Sequence, residues 1–221
     1  MKYKCVIFDL DGTLVDTIGD IAASMNHALA ARSAPAHTPE EYLRMVGWGM
    51  RRLAYQALPP DDRDEQAIDA VVAGATSFYA EHPFVYAKPY PGIPELIAAL
   101  KMSKVRTAVL TNKPDPVAQL VIAGLFPKGS FDIVQGDRPD IKRKPDPAGC
   151  WDIMMELDAN SRNSIIVGDS EIDIETAKAA GCHGVGVSWG FRGREVLEKA
   201  GADRIVDHPD EILSLIRDTR L

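Results

Sequence analysis

The chain has 221 residues, 46% of them apolar and 26% charged, an ordinary globular composition that can bury a core. At roughly 150 residues per domain, that length suits one full domain with a smaller companion. With 25 Lys+Arg against 32 Asp+Glu the formal charge is -7, which argues against wrapping nucleic acid or lying on an anionic membrane surface.

The first predicted element is a strand over Tyr3–Phe8, where the unbroken run Cys5-Val6-Ile7-Phe8 ends abruptly in Asp9-Leu10-Asp11-Gly12-Thr13. A short continuous apolar run closed by turn residues is the pattern of a strand buried on both faces of a parallel sheet. From about Val15 to Glu81 the periodicity becomes helical, with Ile21, Ala22, Met25 and Leu29 on one face and Ile68, Val71, Val72 and Ala75 on another. Proline-rich breaks at Pro35–Pro39 and Pro59-Pro60 divide it, and no strand-like run interrupts it.

After Pro83 strands and helices alternate. Helices are predicted over Pro94–Lys101, Pro116–Gly124, Ala148–Leu157, Ile172–Ala180, Arg194–Ala200 and Asp210–Ile216. Between them come strands Val105–Leu110, Phe131–Val134, Ser164–Val167, Gly184–Val187 and Arg204–Val206, with a polar loop over Gln135–Pro147. Alternation of this kind implies parallel pairing with right-handed crossovers. The predicted fold class is therefore α/β: a Rossmann-like parallel sheet with helices on both faces, residues 1–14 and 83–221. A small all-helical unit, residues 15–82, is inserted after the first strand.

No apolar run approaches the ~18 residues of a membrane span, and a signal peptide is not expected at the start of the chain. Cys5, Cys150 and Cys182 fit neither a disulfide framework nor a zinc spacing, so reduced thiols in a cytoplasmic protein are expected. His27, His37, His82, His183 and His208 have no metal-ligand spacing either.

In an open parallel sheet the carboxyl ends of the strands share one edge, where such folds bind ligands. Asp9 follows the first strand, Thr111 and Asn112 follow Val109-Leu110, and Asp169 follows Ile166-Val167-Gly168. Lys144, within Lys142-Arg143-Lys144, lies on a loop that leaves from the same edge. Carboxylates brought together repel unless a cation sits among them, and hard oxygen donors select Mg²⁺ or Ca²⁺. A metal held by Asp9 and Asp169 would make attack of a carboxylate on a phosphoryl group feasible, and Asp11 is placed to exchange a proton with the leaving oxygen. Gly12 permits the tight turn that aims amide N–H groups at a phosphate. Taken singly, Asp11-Gly12 is a common turn dipeptide, Thr111 an ordinary helix cap, Lys144 a solvated loop cation and Asp173 a helix-surface charge. Four in order, each at a strand end or the loop after it, carry far more weight.

Asp9-Leu10-Asp11-Gly12-Thr13 resembles the first motif of the haloacid dehalogenase-like superfamily of phosphohydrolases. Thr111 is similar to the second-motif hydroxyl, Lys144-Pro145-Asp146-Pro147 to the third-motif lysine, and Gly168-Asp169-Ser170-Glu171-Ile172-Asp173 to the acidic fourth motif. The helical insertion looks like the small cap of the phosphoglycolate phosphatase branch. The resemblance implies Asp9 as nucleophile and Asp11 as general acid/base. It implies Mg²⁺ held by Asp9, the Asp11 backbone carbonyl and Asp169, with Asp173 supporting from nearby. Thr111, Asn112 and Lys144 would hold the substrate. The expected reaction is hydrolysis of a small phosphorylated metabolite, 2-phosphoglycolate favoured, through an aspartyl-phosphate. The alternatives are a sugar phosphomutase like the β-phosphoglucomutase relatives and, from another class, a receiver-like phosphorylation switch. Dehalogenation is disfavoured, because a halide leaves without the proton that Asp11 would supply.

Two further segments stand out. The loop carrying Trp48, Arg51 and Arg52, set off by Gly47 and Gly49, either closes over the catalytic edge or packs ordinarily with its arginines in solvent. Trp189-Gly190-Phe191-Arg192-Gly193, after another strand, either lines the same edge or is structural, the structural reading being favoured. Hinges are expected near residues 14–17 and 81–90. Oligomeric state is not encoded in any feature of the sequence.

Overall fold

The computed structural model describes residues 3–217. Strand β1 (Cys5–Phe8) is fully buried, and its side chains alternate between the two faces of the sheet. Cys5 and Ile7 pack into one apolar cluster, Val6 and Phe8 into the other. A strand so covered belongs at the centre of a sheet, and β1 pairs in parallel with a strand on either side.

The chain then makes β2 (Val15–Asp16) and four helices: α1 (Ile18–Ala30), α2 (Pro39–Tyr42), α3 (Met50–Ala57) and α4 (Glu65–Glu81). Helix α2 starts at a reciprocal cap in which Thr38 and Glu41 satisfy each other's backbone amides, with Pro39 in the first turn. Helix α4 starts at Asp64, whose carboxylate accepts from Ala67 N at 2.7 Å. Strand β3 (Lys88–Pro89) returns to pair antiparallel with β2, a two-stranded ribbon of which β2 falls at the start of the stretch expected to be helical and β3 beyond its end. Strands of two residues are too short for alternation to register in sequence, which is why the reading missed them.

Beyond the ribbon come α5 (Ile93–Met102), β4 (Arg106–Pro114), α6 (Asp115–Leu125), β5 (Ile133–Asp137), α7 (Ala148–Glu156), β6 (Ser164–Gly168), α8 (Glu171–Ala180), β7 (His183–Val187), α9 (Arg194–Ala200), β8 (Arg204–Val206) and α10 (Pro209–Arg217). They build a six-stranded parallel sheet in the order β5-β4-β1-β6-β7-β8. Apolar residues of α7 and α8 cover the Ile7 face, and those of α5, α6 and α10 the Phe8 face. Strand order reverses around β1, so the crevice at its carboxyl end is where the topology places a ligand site.

Two strands overrun their predicted ends. β4 continues past Leu110 through Thr111, Asn112 and Lys113, with a register shift against β5 between Leu110 and Pro114. These polar residues stay buried in extended backbone because partners await them at the sheet edge. β5 likewise runs to Asp137 rather than stopping at Val134, with Gly136 N donating to Asp115 Oδ1 at 2.8 Å.

Candidate active site

Asp9 leaves the end of β1 with its amide bonded to Val167 O at 2.8 Å, which fixes it at the seam of β1 and β6. Asp169 leaves the end of β6, and Asp173 lies in the first turn of α8. One carboxylate oxygen from each of Asp9, Asp169 and Asp173 falls within 4.8 Å of the other two. Their approach depends on missing side chains. A Cβ on Gly12, whose φ is +84°, would sit 2.5 Å from Asp169 Oδ2, and one on Gly190 would sit 2.2 Å from Asp169 Cβ.

The three carboxylates are used differently. Asp173 is saturated: Lys144 Nζ donates to Oδ1 at 2.6 Å, and Ser170 donates to Oδ2 from its amide at 3.1 Å and its hydroxyl at 2.6 Å. Asp169 accepts from Phe191 N at 2.7 Å and, more weakly, from Thr13 Oγ1 at 3.3 Å. Asp9 Oδ1 is ion-paired with Lys144 Nζ at 2.8 Å. Three carboxylates gathered around a single ammonium are the donor set of a hard divalent cation, and the residues present fit one.

Charge states follow from the crowding. Burial, reinforced by Asp173 and only partly offset by Lys144, pushes the Asp9 carboxyl up to about 7. Burial and then the Asp173 and Asp9 charges hold Asp169 well above the usual carboxylate range. For Lys144 burial works against the charge, yet Asp173 and Asp9 outweigh it and keep the ammonium protonated. A divalent cation would reverse the balance at both raised carboxylates.

Asp11 sits on the turn after β1, where its Oδ1 accepts from Thr17 Oγ1 at 2.7 Å and from Lys113 Nζ at 3.0 Å. Lys113 was not anticipated. Its Nζ also donates to Tyr79 OH of α4 at 2.8 Å, so one buried ammonium joins β4, the Asp11 turn and the helical segment. Burial, then Asp11 and Asp20, keep the Tyr79 phenol protonated. Thr111 Oγ1 accepts from Lys113 N at 3.2 Å, leaving its proton to donate into the cavity. Asn112 lines the cavity too, but its amide is committed to backbone: Nδ2 donates to Gly47 O at 3.0 Å and Lys144 O at 3.1 Å, and Oδ1 accepts from Lys144 N at 3.0 Å. It braces the Lys144 loop and the helical segment where substrate contact was expected.

Asp9, Asp11, Thr111, Lys113, Lys144 and Asp169 line one cavity. The helical segment closes it with Ile21, Val46, Gly47, Gly49, Met50, Leu53, Thr76 and Tyr79. Trp48 lines a separate groove with Arg44 and Arg52, and Arg51 is ion-paired with Glu65 and Asp69, so the tip of that loop turns away from the cavity. Phe191 and Arg192 line the cavity directly, the less favoured of the two readings of that segment. Their signal in the sequence was glycine on both sides of a polar-aromatic pair after a strand. Among the described residues no histidine joins a metal cluster, and Cys5, Cys150 and Cys182 are buried and free.

The haloacid dehalogenase-like hydrolase family matches the chain over residues 6–187. The chain belongs to that family. A phosphoglycolate phosphatase of Rhodospirillum rubrum is 36% identical over 92% of this chain and 87% of its own length. One of Aquifex aeolicus is 32% identical over 96% of each. A solved structure from Lactobacillus delbrueckii subsp. bulgaricus superposes with a TM-score of 0.91 at 31% identity, covering 98% of this chain and 99% of that one. CbbY of Rhodobacter sphaeroides, solved in complex with phosphate, gives 0.80 at 27% identity over 95% and 96%. Membership of the family, with phosphatases among the relatives over nearly the whole chain, makes this protein a hydrolase of the phosphatase kind.

Proposed function

We propose that the chain is a Mg²⁺-dependent phosphatase that hydrolyses a small phosphomonoester, 2-phosphoglycolate favoured, through a phosphoryl group carried on Asp9. The carrying observation is the approach of Asp9 and Asp169 at adjacent strand ends, their carboxylate oxygens within 4.8 Å of each other and of Asp173, with Lys144 Nζ 2.8 Å from Asp9 Oδ1. Asp9, Asp169 and the Asp11 carbonyl would hold the cation, with Asp173 supporting by orienting Lys144. The cation would supply charge neutralisation between the phosphoryl oxygens and the attacking carboxylate.

Lys144 and the Thr111 hydroxyl bind phosphoryl oxygens and orient phosphorus in line with Asp9. The Asp9 carboxylate forms the O–P bond as the ester O–P bond breaks, and the Asp11 carboxyl hands its proton to the departing alkoxide. Asp11, now ionised, takes a proton from water as that water attacks phosphorus, which releases phosphate and restores Asp9. General acid–base help of this kind contributes typically about 10²–10⁴-fold. Lys113 and Thr17 hold the Asp11 carboxylate in place between the two steps.

In this reading residues 15–82 are a cap over a core of residues 1–14 and 83–221, of which 1–2 and 218–221 lie outside the described residues. The cap moves on the β2–β3 ribbon to admit substrate and then exclude bulk water. Its inner wall is mostly apolar, and the Tyr79 hydroxyl is already taken by Lys113. Such a wall offers few partners for a sugar's hydroxyls, which favours a small substrate over the phosphomutase alternative. The resemblance of the site to a receiver switch is weakened by Asp11, placed to hydrolyse the adduct. The protein is proposed to work in the cytoplasm on a free metabolite; no helix among the described residues is long and apolar enough to cross a membrane.

The test is phosphate release from a panel of small esters, 2-phosphoglycolate and a sugar 1-phosphate included, with Mg²⁺ and after chelation. Metal-dependent release with the highest kcat/KM on 2-phosphoglycolate supports the reading. Conversion of the sugar 1-phosphate to a 6-phosphate without release, or no turnover of any ester, contradicts it.

A further inference from the structure

The strap after β7 touches three things in succession. Trp189 Nε1 donates to Thr13 O at 3.1 Å, on the turn beyond Asp9. Phe191 N donates to Asp169 Oδ2 at 2.7 Å. Arg192 then reaches into the cap, where Nη1 donates to Leu43 O at 2.9 Å and Nη2 to Val46 O at 2.7 Å. Those carbonyls belong to the turns that continue α2, whose last acceptors would otherwise be unsatisfied, and a guanidinium is favoured there by charge as well as by geometry. The Arg192 side chain is only 16% exposed, with Glu171 Oε2 3.6 Å from its Nε. One peptide link therefore separates a grip on the cap from a bond to a carboxylate of the proposed metal site.

We propose that Arg192 is a positioning residue that couples cap closure to divalent-cation binding at Asp169. This rests on the metal-dependent reading above and goes beyond it. With the cap down, the fork of Arg192 holds the strap against Asp169, and the Phe191 amide fixes the carboxylate rotamer for the cation. A cation on Asp169 holds the strap in turn and stabilises the grip on Leu43 and Val46. Linkage makes the two effects equal in free energy. The planar fork matters, because two carbonyls are engaged by two parallel-reaching N–H groups that a lysine ammonium on a flexible stem does not reproduce.

The test uses metal-stripped full-length protein, titrated with Mn²⁺ by calorimetry, with no substrate. Fluorophores on cysteines introduced as Glu40→Cys in the cap and Lys128→Cys in the core report the separation of the two parts; both positions are exposed, and the native cysteines are buried. Mn²⁺ is expected to shorten the mean distance in the otherwise wild-type chain. In Arg192→Ala and in the milder Arg192→Lys, Mn²⁺ affinity is expected to fall about 5- to 20-fold, with the distance no longer responding to metal. Affinity within twofold of wild type in folded variants overturns the coupling while leaving the phosphatase reading intact. Full recovery by Arg192→Lys overturns the fork argument. Absence of any Mn²⁺ binding to the wild-type chain overturns both the coupling and the metal site beneath it.

Discussion

In the proposed reaction Asp9 must be an anion and a nucleophile in a place where burial opposes its charge. Its carboxyl is pushed up to about 7, and Asp169 also lies well above the ordinary range, so the metal-free site retains protons near neutrality. A cation must displace those protons to bind. The sign follows: as pH falls below about 7, protons compete better and apparent metal affinity drops, by about tenfold per pH unit for each proton released. Calorimetric titration of Mg²⁺ between pH 5.5 and 8 should give affinity that climbs with pH and heats that change with buffer ionisation enthalpy. A flat affinity across that range would show that no ligand carboxylate holds a proton near neutrality.

Between elements, what sets the site is close approach. Gly190 lets the strap after β7 lie on Asp169, and a Cβ there would also meet Gly12 O at 2.3 Å. Gly190→Ala should therefore push the strap off Asp169, cost about 1–3 kcal/mol of stability in a denaturant titration, and weaken Mg²⁺ binding. Stability and binding like the wild type would mean the strap is not held where it stands. The same spacing explains what sequence could and could not supply. Asp9, Thr111 and Asp169 were legible because a strand buried on both faces is apolar to its last residue, so the first polar residue marks the edge of the sheet. Lys113 was not, since it lies in an irregular extension of β4 where period-two alternation stops. Tyr79 was not, because nothing in local spacing says which turn of a helix will face an edge far away in the chain. Asn112 was placed at the edge correctly, but which groups its amide meets is a tertiary fact.

At the scale of the molecule, one carboxylate ties helix α1 to the segment that returns toward β3. Asp20, 3% exposed on α1, accepts from the amides of Val85, Tyr86 and Ala87, at 2.7–3.1 Å for the nearest oxygens, and so pins the returning segment beside the β2–β3 ribbon. Asp20→Ala leaves those amides without their acceptor and should cost about 2–3 kcal/mol, read as a lower denaturation midpoint. It should also loosen the cap, raising KM more than it lowers kcat. A wild-type midpoint would remove Asp20 from any role in the hinge.

In the proposed reaction the phosphoryl group is transferred to Asp9. Acid-quenching the enzyme during turnover of ³²P-labelled substrate, digesting it and sequencing the labelled peptide asks that question directly. The expected result is label on the peptide carrying Asp9, absent from Asp9→Asn, with that variant folded and its turnover down about a thousandfold or more. Label on another residue, or an Asp9→Asn variant that releases phosphate at the wild-type rate, would contradict it.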